Sequence, residues 1–169
     1  CTLENNRGDH FRAATTEASA VTMDVRFRNN TLVGDGGATQ GGDDLRGGIT
    51  INPVGASQVA FDVLGNNIQR ATSSAITISL DANPAAPTPS ARLSGTVSGN
   101  VIGTPGAPGS GSSQGDGITV ASHGEGTTTV AITGNTIRQH NRMGINVLQR
   151  DGGGSLQATV VANTISDPG

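Results

Sequence analysis

Lysine, tryptophan and tyrosine are absent from this 169-residue chain, phenylalanine occurs three times, and there is one cysteine. Each shortage excludes something. Without large rings the interior cannot be built on aromatics, and the flat platforms on which sugar rings stack are missing. One cysteine rules out an internal disulfide framework. No apolar run is long enough for a signal peptide or a membrane span, so a signal for export is expected outside the chain. The formal net charge of -3 favours neither nucleic acid nor an anionic membrane surface as partner.

Glycine is abundant, at 26 residues, about twice its usual share of roughly 7%. The apolar residues are Val, Ile, Leu and Ala, interleaved with Thr, Ser and Asn. Such a mixture suits strands and turns, and almost no helix is expected.

The chain repeats. Five stretches superimpose, VRFRNNTL, FDVLGNNI, GTVSGNVI, VAITGNTI and ATVVANTI, each with an Asn two residues before Leu or Ile. The asparagines are Asn30, Asn66, Asn100, Asn135 and Asn163, giving steps of 36, 34, 35 and 28 residues. Three positions upstream lie Phe27, Val63, Val97, Ile132 and Val160, and two positions downstream lie Leu32, Ile68, Ile102, Ile137 and Ile165. These are the inward sites of a period-two strand, a turn and a second short strand. A third strand follows, read as GITI, AITI, GITV and GINV, with inward pairs Ile49/Ile51, Ile76/Ile78, Ile118/Val120 and Ile145/Val147.

Three short strands per repeat, at about 30 residues, predict an all-β solenoid of about five coils over residues 1–169. The connection before the third strand alternates in length: 19, 10, 18 and 10 residues from the Asn to Ile49, Ile76, Ile118 and Ile145. That alternation suggests duplication of a two-coil unit. Aligning Leu3 with Leu32 places Cys1 at the asparagine position and brings Phe11 and Ala13 onto the third strand. Both ends then fall within coils, uncapped, and the chain is expected to be a segment of a longer solenoid.

The pattern strand, Gly-Asn-Thr-Ile, variable loop, Gly-Ile-x-Val resembles the right-handed parallel β-helix repeat of the pectin-lyase-like superfamily, from Cys1 to Ile165. The resemblance implies right-handed coils and, in enzyme members, a substrate groove along the outward face of the strand after the long loop. Coils stacked at roughly 4.8 Å would align equivalent residues in ladders. Asn suits the turn because it tolerates left-handed backbone and its amide both donates and accepts. Cys1, the departure from the ladder, reads as a small buried residue.

The outward rank of the third strand is Arg12, Thr50, Thr77, Thr119 and Asn146, which makes these the candidate binding residues. It holds no carboxylate, whereas glycoside hydrolysis needs two and lyase chemistry needs a base with charge neutralisation. Asp9 and Asp116 stand just before their strands. No catalytic residue is assigned. Flat Thr ranks resemble ice-binding faces, but the next outward sites, Asn52, Ser79, Ala121 and Leu148, do not continue this one. Asp35, Asp43 and Asp44 in a Gly-rich loop could bind calcium weakly; no other cofactor or metal is expected, since His10, His123 and His140 fall far apart. Arg7-Gly8-Asp9, an integrin-type tripeptide, falls in an ordinary turn. Arg26 and Asp62 share an outward position on neighbouring coils and should pair.

The expected function is a non-enzymatic structural or adhesive segment of an extracellular or cell-surface β-helix protein. Its partners would be flanking coils, other copies of itself, or surface carbohydrate. The alternatives are part of a polysaccharide lyase or glycoside hydrolase with catalytic coils elsewhere, and a self-assembling filament subunit.

Overall fold

In the computed structural model, residues 1–4, 8–34, 48–82 and 91–169 are described. Alternation of aliphatic and polar side chains produces sixteen strands among them and no helix. The first coil holds β1 (Thr2–Glu4), β2 (Phe11–Ala14) and β3 (Thr22–Arg28). The second holds β4 (Thr31–Val33), β5 (Ile49–Asn52) and β6 (Gln58–Leu64), and the third β7 (Asn67–Gln69), β8 (Ile76–Asp81) and β9 (Arg92–Ser98). The fourth holds β10 (Val101–Ile102), β11 (Ile118–His123) and β12 (Thr127–Thr133). Then come β13 (Thr136–Ile137), β14 (Ile145–Arg150), β15 (Ser155–Val161) and the short β16 (Thr164–Ile165).

Every third strand belongs to the same sheet. Sheet I is β3-β6-β9-β12-β15, sheet II is β1-β4-β7-β10-β13-β16, and sheet III is β2-β5-β8-β11-β14. All pairings are parallel and in register, as in Val63↔Val97, Ile68↔Val101's neighbour Ile102, and Ile76↔Ile118. The molecule is a right-handed parallel β-helix, and the opening residues take their predicted places, with Leu3 opposite Leu32 and Phe11 opposite Ile49.

Inward columns fill the bore. Leu32, Ile68, Ile102 and Ile137 stack in sheet II, and Ile49, Ile76 and Ile118 in sheet III, all fully buried. Burying each such side chain stabilises by about 1.5–3 kcal/mol before the entropy of ordering is subtracted. One column of sheet I runs Val25, Phe61, Gly95, Val130, Ala158. Gly95 is the complement of Phe61: a Cβ there would collide with the Phe61 carbonyl and come within 2.6 Å of its ring. A polar pair also lies in the bore, Thr128 Oγ1 donating to Ser122 Oγ at 3.0 Å with both residues fully buried. At the last strands the columns are uncovered, leaving Val147, Val160 and Ile165 39%, 48% and 48% exposed.

Two expectations about the turn between sheets I and II need correction. The left-handed residue is the one before the ladder asparagine: Asn29, Gly65, Gly99, Gly134 and Ala162, at φ 54, 63, 63, 63 and 56°. The preceding Gly relieves the backbone, while the Asn is selected for its amide. Cys1, second, is exposed rather than buried, because no coil of the chain covers its outer side. It nevertheless keeps the ladder register, its carbonyl accepting from Thr31 N at 2.9 Å as that of Asn30 accepts from Asn67 N at 2.8 Å.

Candidate functional site

Two built features stand out, the asparagine ladder inside the turn and the outward face of sheet III. In the ladder, Asn100 Oδ1 accepts from the backbone N and the Nδ2 of Asn66, at 2.9 and 3.0 Å. Its own Nδ2 donates to Val63 O and to Asn135 Oδ1, both at 2.9 Å. The motif recurs from Asn30 to Asn66 and from Asn135 to Asn163, and Asn66, Asn100 and Asn135 are at most 1% exposed. Every polar atom of these three amides is thereby used, so the ladder has nothing left to offer a ligand. At its start, the amino group and Sγ of Cys1 both donate to Asn30 Oδ1 at 3.1 Å.

The outward rank of sheet III is aligned as predicted, Arg12 opposite Thr50, Thr50 opposite Thr77, Thr77 opposite Thr119, and Thr119 opposite Asn146. The rank is less open than its outward position implies, since Thr50 is only 6% exposed. Arg12 stands exposed at one end. At the other end the fold adds a carboxylate that the rank itself lacks. Asp116, 5% exposed, turns back so that its Oδ2 accepts from Thr119 Oγ1 at 2.9 Å and from Asn146 Nδ2 at 2.8 Å. Its Oδ1 accepts from Met143 N at 3.0 Å. Ser74 Oγ lies 2.9 Å from Thr119 Oγ1 and joins the same group. Asp116 therefore straps three coils together at the entry to sheet III, and charge-assisted bonds of this type are about twice as strong as neutral ones.

Strand length carries a second group. Sheet III strands run on past the four residues read from the sequence, to Asp81, His123 and Arg150. These three stand opposite one another on consecutive coils, Asp81↔His123 and His123↔Arg150. His123 Nε2 lies 3.9 Å from Asp81 Oδ1, and Asn52 Nδ2 donates to Asp81 Oδ2 at 2.8 Å. The sequence signal was the shared offset of five residues from Ile76, Ile118 and Ile145. Ser79, Ala121 and Leu148 occupy the positions between, and Ala121 is only 6% exposed.

Spacing decides what these acids can do together. The Asp116 carboxylate reaches Thr119, which stands opposite Thr77, four residues from Asp81 along the strand, or roughly 13 Å at extended-chain rise. Asp9 is three coil steps from Asp116, about 14 Å at the inter-strand spacing. Paired carboxylates in glycoside hydrolysis stand about 5–9.5 Å apart, so no described pair on this face meets the requirement.

The remaining sequence-level candidates fall out as follows. Arg26 and Asp62 pair across coils at 2.9 Å, joined by Asp24 and by a short contact from Arg28 to Asp62. The arginines are 47% exposed, so the network contributes under about 1 kcal/mol per pair. The carboxylate oxygens of Asp9 are buried, which withdraws the acid of the Arg-Gly-Asp tripeptide from a receptor; Arg7 lies outside the described residues. Asp35, Asp43 and Asp44 also lie outside them. Among the described residues no three His, Cys, Asp or Glu side chains come together as a metal set, and no helix is long and apolar enough to cross a membrane. His10 instead contacts Val33 O at 3.1 Å. No protein-family model matches the chain, and neither a curated protein nor a solved structure is significantly similar to it.

Proposed function

We propose that the chain is a structural and adhesive segment of an extracellular or cell-surface β-helix protein of the pectin-lyase-like kind. It would act by rigidity and display, without bond-making chemistry of its own. The observation that carries this reading is the state of Asp116. The carboxylate nearest the outward rank is 5% exposed and accepts three hydrogen bonds from Thr119, Asn146 and Met143, so it is committed to holding coils together. The rank beside it offers hydroxyl and amide groups in a straight line, which suits weak, repeated contacts to carbohydrate or to another protein surface.

A second reading, a polysaccharide lyase or hydrolase relative, is favoured by Asp81, His123 and Arg150 on consecutive coils of the same face. A base beside a cation is what abstraction of a proton next to a carboxylate would use. The two readings separate in one experiment. The protein is incubated with neutral and acidic polysaccharides, and both retention on the polymer and release of new reducing or unsaturated ends are measured. The adhesive reading expects retention that weakens when Thr77 and Thr119 are both changed to Arg, with no new chain ends. Release of chain ends that disappears in Asp81→Asn or His123→Gln would replace it with the enzyme.

A further inference from the structure

The turn between sheets I and II carries a chemical group that neither the ladder nor the sheet III face uses. Its left-handed column is Asn29, Gly65, Gly99, Gly134, Ala162, and only its first member has a functional side chain. Asn29 and Asn30 are adjacent but differently employed. Asn30 is 9% exposed and its Nδ2 donates to Asn66 Oδ1, whereas Asn29 is exposed and its carboxamide makes no hydrogen bond in the described fold. The residue after this pair is Thr31, so the doubled asparagine creates Asn29-Asn30-Thr31. Of the thirteen asparagines in the chain, Asn29 alone has Ser or Thr two residues on with no proline between. In two other coils a Thr follows the ladder asparagine directly, as Asn135-Thr136 and Asn163-Thr164, and misses that spacing, while Asn66 and Asn100 are followed by Asn67 and Val101.

We propose that Asn29 is an acceptor for N-linked glycosylation, an inference that rests on the reading of the chain as exported. The lane beside it is bare. Gly65, the next residue of the column, has no side chain, and a Cβ there would lie 2.5 Å from Asn29 Oδ1. A Cβ on Gly99 would meet only Gly65 N at 4.0 Å, and one on Gly134 would meet nothing. A sugar on Asn29 thus projects along the outside of the turn without displacing a side chain, and the buried ladder one residue on is untouched. The donor is an oligosaccharide carried on a lipid pyrophosphate. Asn29 Nδ2 bonds to the anomeric carbon, the bond from that carbon to the pyrophosphate oxygen breaks with its electron pair leaving on the phosphate, and the Nδ2 proton passes to a base of the transferase. No oxidation or reduction is involved.

The test uses the protein from its natural source, its cellular location and the mass of the tryptic peptide 29–46, with the whole protein treated or not treated with a peptide N-glycanase before it is digested. The expected result is an exported protein whose peptide carries an oligosaccharide mass, removed by the enzyme with conversion of Asn29 to Asp. An exported protein with unmodified Asn29 overturns the proposal and leaves the adhesive reading standing, whereas a cytosolic one overturns both. Expression through a glycosylating secretory pathway supplies the control for folding: Asn29→Gly suits the left-handed backbone, so it should lose the added mass while unfolding at an unchanged or higher temperature, and Thr31→Ala should also lose it. Persistence of the mass in both variants would also overturn the assignment.

Discussion

At the scale of single residues, stability is concentrated in amides that have no alternative partner. Replacing Asn100 by Ala removes the one oxygen that accepts from both the backbone N and the Nδ2 of Asn66 and leaves Val63 O without its donor, in a turn closed to water. The expected loss is about 3 kcal/mol, from several buried groups left unpaired. Asn163→Ala, at the partly exposed last rung, should cost less than about 1.5 kcal/mol in the same urea titration. Equal losses at the two positions would show that the ladder is decorative. The turn makes a prediction of opposite sign. Ala162 sits at φ 56° where three of its four counterparts are Gly, so Ala162→Gly should raise stability by about 1 kcal/mol, read as a higher urea midpoint. The ladder positions were legible in the sequence because Asn recurs with fixed aliphatic neighbours on both sides. The reason for the Gly before three of them was not, since a dipeptide does not say which of its residues takes the left-handed conformation.

At the scale of strands and sheets, the interior is matched coil to coil. Gly95 makes room for Phe61, and the pair can be tested as a cycle. Gly95→Val should destabilise by about 1–3 kcal/mol through overpacking, and its cost should be smaller in a Phe61→Ala background, where the ring is gone and only the carbonyl remains in the way. Additive losses in the double variant would contradict the account of the column. Period two placed nearly every inward residue of these strands beforehand, because the sheets are covered on one side only and burial must alternate. The extent of sheet III was harder to see. Its strands continue through Leu80 and Ser122, both fully buried, yet Ser122 looks like a turn residue until its partner Thr128, six residues on, is known. For the same reason the sequence does not show Asp81, His123 and Arg150 as one group: they lie beyond the point where the aliphatic alternation stops. In the sequence Asp116 shows only as an acid before a strand. That it folds back to hold Thr119, Asn146 and the Met143 amide depends on neighbours 3, 30 and 27 residues away, which no local pattern reports.

At the scale of the whole molecule, the described strands of each coil pair only with those of the coil before and the coil after it, so stability is expected to accumulate by neighbour. On the structural reading proposed above, a stack of this kind should give way under axial load one coil at a time. That expectation, with the Asp116 carboxylate committed to holding coils together, is the basis for proposing that the chain is structural. The most direct measurement is single-molecule extension, with the protein tethered at its two ends and pulled at constant speed. Coils repeat every 28–36 residues, so the account predicts a series of ruptures, each releasing about 120 Å of chain for a coil of 35 residues. One low-force rupture that releases the whole chain at once would contradict it.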